Sequence, residues 1–212
     1  MVISYLGGEC FKITQGDLTL AFNPPSKDSS LKASKFGADI ALVSYDHEDF
    51  NGVENAAFGE REPFVISGPG EYEVKGVAVR GFGSESGYGM DAGKAGGSKG
   101  INTIYSVALE GLNLCFLGAL GSSTLPAAAK QELDNIDILF LPIGGEGVLD
   151  YDKAYALAVQ LEPKAIIPMH YTAETLKKFL KEAGEDVKPI DKLTLKKKDL
   201  DGKAGEIIVL SV

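Results

Sequence analysis

The feature that most constrains this chain is its punctuation: through the first half, apolar residues come only in short runs, each closed by turn-forming residues. Val2 to Leu6, Cys10 to Thr14 and Leu18 to Phe22 are separated by Gly7-Gly8 and Gln15-Gly16-Asp17, a pattern that predicts a strand meander. Ile40 to Ser44 is a continuous apolar strand. Phe64 to Ser67, Glu71 to Val74, Val77 to Gly81 and Thr103 to Ala108 follow as further short strands, with turns at Gly68-Pro69-Gly70 and Lys75-Gly76. After Leu112 the character changes. Strands at Leu114 to Leu117, Ile136 to Leu141 and Ala165 to Pro168 alternate with helices at Pro126 to Leu133, Tyr151 to Leu161 and Ala173 to Ala183. Closing strands are expected near Leu193 to Leu195 and Ile207 to Val212. A sheet-rich first half and an alternating second half predict two sheets sandwiched by helices. No linker-like stretch divides them, so residues 1–212 read as a single domain.

Charge narrows the partners. The 21 Lys and Arg against 30 Asp and Glu leave a net charge of −9, which repels phosphate backbones and anionic membrane surfaces. Neither a nucleic acid nor a membrane is expected as a partner. The run Lys192, Lys196, Lys197 and Lys198 reads instead as a solvated guard on an edge strand. Cys10 and Cys115 sit in apolar runs, the setting of reduced, buried thiols, and the N-terminus carries no export signal. A cytoplasmic location is expected.

Chemistry is sought where a buried strand ends in polar residues. Ile40 to Ser44 runs into Tyr45-Asp46-His47-Glu48-Asp49, and such strand-to-loop junctions are where α/β folds place their sites. Asp46, Glu48 and Glu85 read as solvated acidic residues and are not promoted to ligands. Gly144-Gly145-Glu146-Gly147 is either an anion-binding nest or, more simply, a tight strand-to-helix turn. Gly83 to Gly100 reads as a mobile stretch, either a surface loop or a lid over a pocket. No Gly-x-Ser-x-Gly elbow or Walker loop is present, and neither cysteine has a histidine beside it in sequence.

Several segments, in order, resemble the metallo-β-lactamase superfamily, in particular its branch of Zn-dependent-hydrolase-like, L-ascorbate-6-phosphate lactonase-like proteins. They are Tyr5-Leu6-Gly7-Gly8-Glu9-Cys10-Phe11, Ser44 to Gly52, Gly68-Pro69-Gly70-Glu71-Tyr72-Glu73-Val74, Gly100-Ile101-Asn102-Thr103-Ile104, Leu117-Gly118-Ala119-Leu120-Gly121, Leu141-Pro142-Ile143-Gly144-Gly145 and Pro168-Met169-His170-Tyr171. The resemblance implies an α/β (α+β) fold, the four-layer αβ/βα sandwich, with its site where the two sheets meet. It also implies a two-zinc centre that this chain has largely lost. Against the motif H-x-H-x-D-H, the first histidine is Tyr45, the second remains His47, the aspartate remains Asp49 and the third histidine is Phe50. The bridging aspartate is Ala119, the histidine of the glycine-rich segment has no counterpart, and the last histidine survives as His170. Gly8 replaces an early histidine, and Asn23-Pro24 replaces an Asp-Pro.

Neither Phe50 nor Ala119 can bind zinc through its side chain, and Tyr45 does so only as a phenolate. The carried-over set implies no resident cofactor, or at most one zinc or other divalent ion on His47, Asp49 and His170. The alternative reading makes the two imidazoles relics in a polar pocket and Asp49 a cap. Two functions follow. The first is a degenerate protein of this fold, without dinuclear zinc hydrolase activity, that binds a small molecule or a partner in a cleft lined by Tyr45, His47, Phe50, Phe116, Ala119 and His170. The second is a divergent metal-dependent hydrolase of lactones, phosphosugars or phosphodiesters, with Asp49 in the catalytic set. Assembly into a homo-oligomer is compatible with either.

Overall fold

The computed structural model describes residues 1–90 and 100–212. In chain order the first strands are β1 (Val2–Tyr5), β2 (Phe11–Gln15), β3 (Leu18–Phe22), β4 (Ile40–Val43) and β5 (Phe64–Ser67). Next come β6 (Gly70–Val74), β7 (Val77–Ser86), β8 (Gly100–Leu109) and β9 (Leu112–Phe116). Then follow α1 (Ala127–Glu132), β10 (Ile138–Pro142), α2 (Tyr151–Leu161), β11 (Ala165–Met169), α3 (Ala173–Ala183), β12 (Leu193–Thr194) and β13 (Glu206–Ile207). They build two mixed sheets, ordered β12-β1-β2-β3-β4-β5 and β13-β11-β10-β9-β8-β7-β6. Each sheet is an antiparallel meander continued by parallel strands, which agrees with the change of character along the sequence.

Turn chemistry fixes the meanders. Lys75 and Gly76 (φ 51° and 77°), and likewise Glu110 and Gly111 (φ 52° and 74°), put both central residues of a two-residue hairpin in the left-handed region. That backbone matches the twist of the strands it joins. The stretch from Gly83 to Gly100 departs from the sequence expectation at both ends. β7 continues to Ser86 and β8 begins at Gly100, with Gly83 opposite Thr103 and Ser86 opposite Gly100. Cross-strand pairing there overrides the poor strand preference of glycine and serine. Residues 91–99 of that stretch lie outside the described residues. The last strand is also shorter than expected: only Glu206–Ile207 pair in β13, and Leu210 forms an isolated bridge to Ile190.

Between the sheets lies an apolar layer whose centre is four phenylalanines. Phe11 meets Phe140 at 4.8 Å between ring centroids, Phe22 meets Phe116 at 4.8 Å, and Phe116 meets Phe140 at 5.9 Å. All four are fully buried, each worth about 1.5–3 kcal/mol in transfer free energy. Tyr105 on β8 ties the sheets together. Its hydroxyl donates to the Val43 carbonyl at 2.7 Å and accepts the Gly68 N–H at 3.0 Å. On the far side of the second sheet, Ala129, Leu157 and Phe179 of α1, α2 and α3 pack on Cys115, Leu139, Leu141 and Ile166. The outer face of the first sheet presents the small side chains Ala21 and Ala41. Phe36, Ala38 and Ala56 cover them from irregular chain and a turn of 3-10 helix at Val53–Asn55, so the outer layer there is coil rather than α-helix.

Two consequences are measurable. Burial pushes both cysteine thiols up to about 12, so neither should react with a thiol reagent at pH 8 until the protein unfolds. Burial likewise pushes Tyr105 up to about 12. Its stabilising contribution is therefore complete below the ordinary tyrosine value near 10 and is lost as pH rises from there through about 12. Chemical denaturation should show stability falling across that window in the native chain and a smaller fall in Tyr105→Phe. Among the described residues, no helix is long and apolar enough to cross a membrane.

Candidate functional site

The candidate site residues gather along one edge of the sandwich, at or beyond the ends of strands. β4 leads into Ser44, Tyr45, His47, Asp49 and Phe50, β9 is followed by Ala119, and β11 by His170. The turn after β1 supplies Glu9, the end of β3 supplies Asn23, and the end of β7 supplies Tyr88. Loops at strand ends are held by the sheet yet free of its pairing, which is why chemistry collects there.

One half of the site is a buried polar chain. Glu9 is fully buried; its Oε1 lies 2.9 Å from His170 Nδ1, and its Oε2 accepts from the Asn23 side-chain amide at 2.9 Å. The same amide also donates to Ser44 Oγ at 2.8 Å, while Asn23 Oδ1 accepts the Ser44 N–H at 2.8 Å. A buried carboxylate is costly unless hydrogen bonds satisfy it. Here they also aim the imidazole: with Nδ1 on Glu9, the Nε2 atom has no partner among the described residues. His170 itself sits at φ 52°, in the left-handed region that a non-glycine residue occupies only under constraint. Its N–H is held by the Gly8 carbonyl at 2.7 Å.

The other half centres on Asp49, which is 7% exposed. The Ser29 hydroxyl donates to its Oδ1, and the Tyr88 hydroxyl donates to its Oδ2 at 2.6 Å. His47 Nδ1 lies 3.2 Å from the Asp49 N–H and 3.5 Å from Oδ2. Tyr88 packs edge to face on both imidazoles, at 5.0 Å from His47 and 4.9 Å from His170, and lies 4.9 Å from Phe50. Burial raises the Tyr88 hydroxyl well above the usual tyrosine range, and the bond to Asp49 adds to the rise. Behind the ring, Phe50, Ala119 and Val148 form an apolar floor with Tyr45 and Tyr88 packed on it.

Glycines set the position of Tyr88. A Cβ on Gly147 would lie 2.6 Å from the Gly87 backbone, and one on Gly121 would lie 3.1 Å from the Gly147 carbonyl oxygen. The Gly87 N–H donates to that carbonyl at 3.1 Å. Gly144 to Gly147 form a turn, closed by the Gly145 N–H on the Leu149 carbonyl at 3.0 Å just before α2.

These residues do not fit a metal centre while Tyr88 is seated. Both Asp49 oxygens already accept hydroxyls, His47 Nδ1 takes the Asp49 N–H, and Tyr88 fills the space the two imidazoles share. Among the described residues, no group of three or more His, Cys, Asp or Glu is placed to hold an ion. The cleft expected from sequence changes in one member. Tyr45, His47, Phe50, Ala119 and His170 belong to this edge, but Phe116 points into the layer between the sheets, where it is fully buried against Phe22 and Phe140. Strand parity is the reason: alternate residues of β9 face opposite sides, Cys115 toward the helices and Phe116 toward the core. Sequence reasoning missed Glu9, Asn23, Ser29 and Tyr88 as members of the site.

The two facing mixed sheets, with the polar edge between them, define the metallo-β-lactamase class of fold. Comparison with known proteins agrees. Residues 2–170 match the beta-lactamase superfamily domain, and the chain belongs to that family. It is 25% identical over 186 residues to a UPF0173 metal-dependent hydrolase of Natranaerobius thermophilus, covering 81% of this chain and 83% of that protein. It is 26% identical over 204 residues to the UPF0173 metal-dependent hydrolase lin1612 of Listeria innocua, covering 81% and 85%. Among solved structures, a Thermotoga maritima protein assigned to the metallo-beta-lactamase superfamily superposes with a TM-score of 0.73 at 25% identity, covering 99% of this chain and 97% of that one. Igni18, a metallo hydrolase of Ignicoccus hospitalis, shares the fold with a TM-score of 0.62 at 17% identity, over 92% and 99%.

Proposed function

We propose that this chain is a divergent hydrolase of the metallo-β-lactamase fold in which His170, oriented by Glu9, moves the proton. The names of its relatives support hydrolysis over a purely binding role. The observation that carries the reading is the pairing of buried Glu9 with the partly exposed His170, with Nδ1 engaged and Nε2 left for chemistry. No step is routed through a metal, because with Tyr88 seated both Asp49 oxygens and His47 Nδ1 are already engaged. Nε2 takes a proton from water as the water oxygen attacks a lactone carbonyl carbon. The ring C–O bond then breaks, and the imidazolium returns the proton to the departing alkoxide, giving a hydroxy acid. Of the substrates the resemblance implies, a neutral lactone fits best. Asp46 and Glu146 are among the residues lining the cavities along this edge, no Lys or Arg is among the described lining residues, and Lys153 beside them is held by Asp150 at 3.2 Å.

A lactone panel read by acid release tests this. His170→Ala is expected to lower turnover about 10²–10⁴-fold, as removal of a general base does, and Glu9→Gln about 10–100-fold, as loss of an orienting carboxylate does. A rate indifferent to His170→Ala overturns the assignment. A rate abolished by chelator and restored by zinc would move the chemistry to one ion on His47, Asp49 and His170, with Tyr88 displaced. Elemental analysis after exposure to zinc, manganese and iron, then desalting, should find metal near background, and about one ion per chain would contradict the misfit.

A second reading, a ligand-binding protein without turnover, draws on a different observation. Phe50, Ala119 and Val148 give the site an apolar floor where the resemblance places ion ligands at the first two. Absence of turnover across the panel together with saturable binding of an organic ring would favour it.

A further inference from the structure

The group that fills the cleft belongs to the chain itself. Tyr88 is half-buried and comes from a connection rather than from a sheet, unlike Tyr105 on β8, which is fully buried. Its backbone N–H donates to Ser86 Oγ at 3.2 Å, and its carbonyl accepts the Tyr45 hydroxyl at 3.2 Å. Gly89 follows at φ 69°. Three rings stand about Tyr88 at 4.9 to 5.0 Å, and at its end a nearly buried carboxylate accepts the hydroxyl at 2.6 Å.

We infer that Tyr88 is an exchangeable internal occupant of a binding slot, and that the slot's external ligand is a para-substituted phenol. Each part of that description has a cause on the page. The ring requirement comes from His47 and His170, which meet Tyr88 edge to face, and from Phe50, which is tilted against it. The donor requirement comes from Asp49. Its carboxylate is 7% exposed, so it loses an expensive hydrogen bond whenever Tyr88 leaves without a replacement. The para substituent follows from the way Tyr88 enters: its main chain is attached opposite the hydroxyl, so that side of the slot is open to a chain. The inference concerns binding and holds whether or not the chain hydrolyses a lactone.

The test uses Tyr88→Gly and 4-methylphenol, the side chain that the substitution removes. Titration followed by calorimetry and thermal shift should show saturable binding to the variant at least tenfold tighter than to the native chain, where Tyr88 competes. Toluene, the same ring without the donor, should bind at least tenfold more weakly than 4-methylphenol. Equal affinity of variant and native chain, no binding to the variant, or equal affinity for toluene would overturn the proposal. Tighter binding of benzylammonium than of 4-methylphenol would make the slot a cation box and also overturn it. Binding to the variant with none to the native chain up to the solubility limit would make Tyr88 a permanent plug, overturning exchange. If Tyr88→Gly does not fold alone, recovery of folded protein on refolding with 4-methylphenol, but not with toluene, supports the slot, and no recovery overturns it. The His170→Ala turnover assay is a separate readout, so failure of either reading is visible without the other.

Discussion

Alanine at Gly144 should disable the site while leaving the sandwich folded. A Cβ there would lie 2.1 Å from the His170 carbonyl oxygen and 2.9 Å from its Cδ2, so the His170 backbone itself must move. His170 cannot move far, because its N–H is held by Gly8 and the neighbouring strand is held through Ile143 N–H to Met169. The strain should cost about 1–3 kcal/mol, the usual price of overpacking, or roughly 2–12 °C in Tm for a chain of this size. The larger effect is on geometry. Displacing the imidazole by about an ångström from Glu9 should lower turnover on the order of 100-fold, with circular dichroism little changed. Native turnover in Gly144→Ala would show that His170 does not need the position that Glu9 gives it.

Phe116→Ala is the second substitution with a large expected effect, and its readout is opposite in kind. Phe116 is fully buried among Phe11, Phe22 and Phe140. Truncation should cost about 3–5 kcal/mol, which is roughly 6–20 °C in Tm. The affinity of the folded fraction for any cleft ligand should stay as it was. Binding lost at constant stability would put Phe116 back in the cleft.

The contrast between these residues explains how far the sequence could be read. Strands such as β3 and β4 and the helices α2 and α3 were legible because apolar runs end at residues with a local reason to stop them, such as Gly184 at the end of α3 (φ 71°). Local signals failed where pairing is remote. Glycine and serine from Gly83 to Ser86 read as loop, yet they are strand because β8 lies alongside. In the site, His47, Asp49 and His170 were singled out by the resemblance of their segments to the family's motifs. Glu9 was visible in the opening motif but showed no role, since its partners are Asn23, 14 positions on, and His170, 161 positions on. Tyr88 gave no signal at all. Its place depends on Gly87, Gly121 and Gly147 approaching backbone to backbone, and nothing near Tyr88 in sequence encodes that meeting.

The tether on Tyr88 has a quantitative meaning. The residue is joined to the end of β7 through Gly87 alone. A group on so short a leash has an effective concentration at its seat of millimolar or more. An external phenol must therefore exceed its own intrinsic dissociation constant by whatever factor the tethered ring imposes. A slot built this way is deaf to traces. It answers only when its ligand is abundant, and the length and stiffness of a few loop residues, rather than the walls of the slot, set the level at which it does.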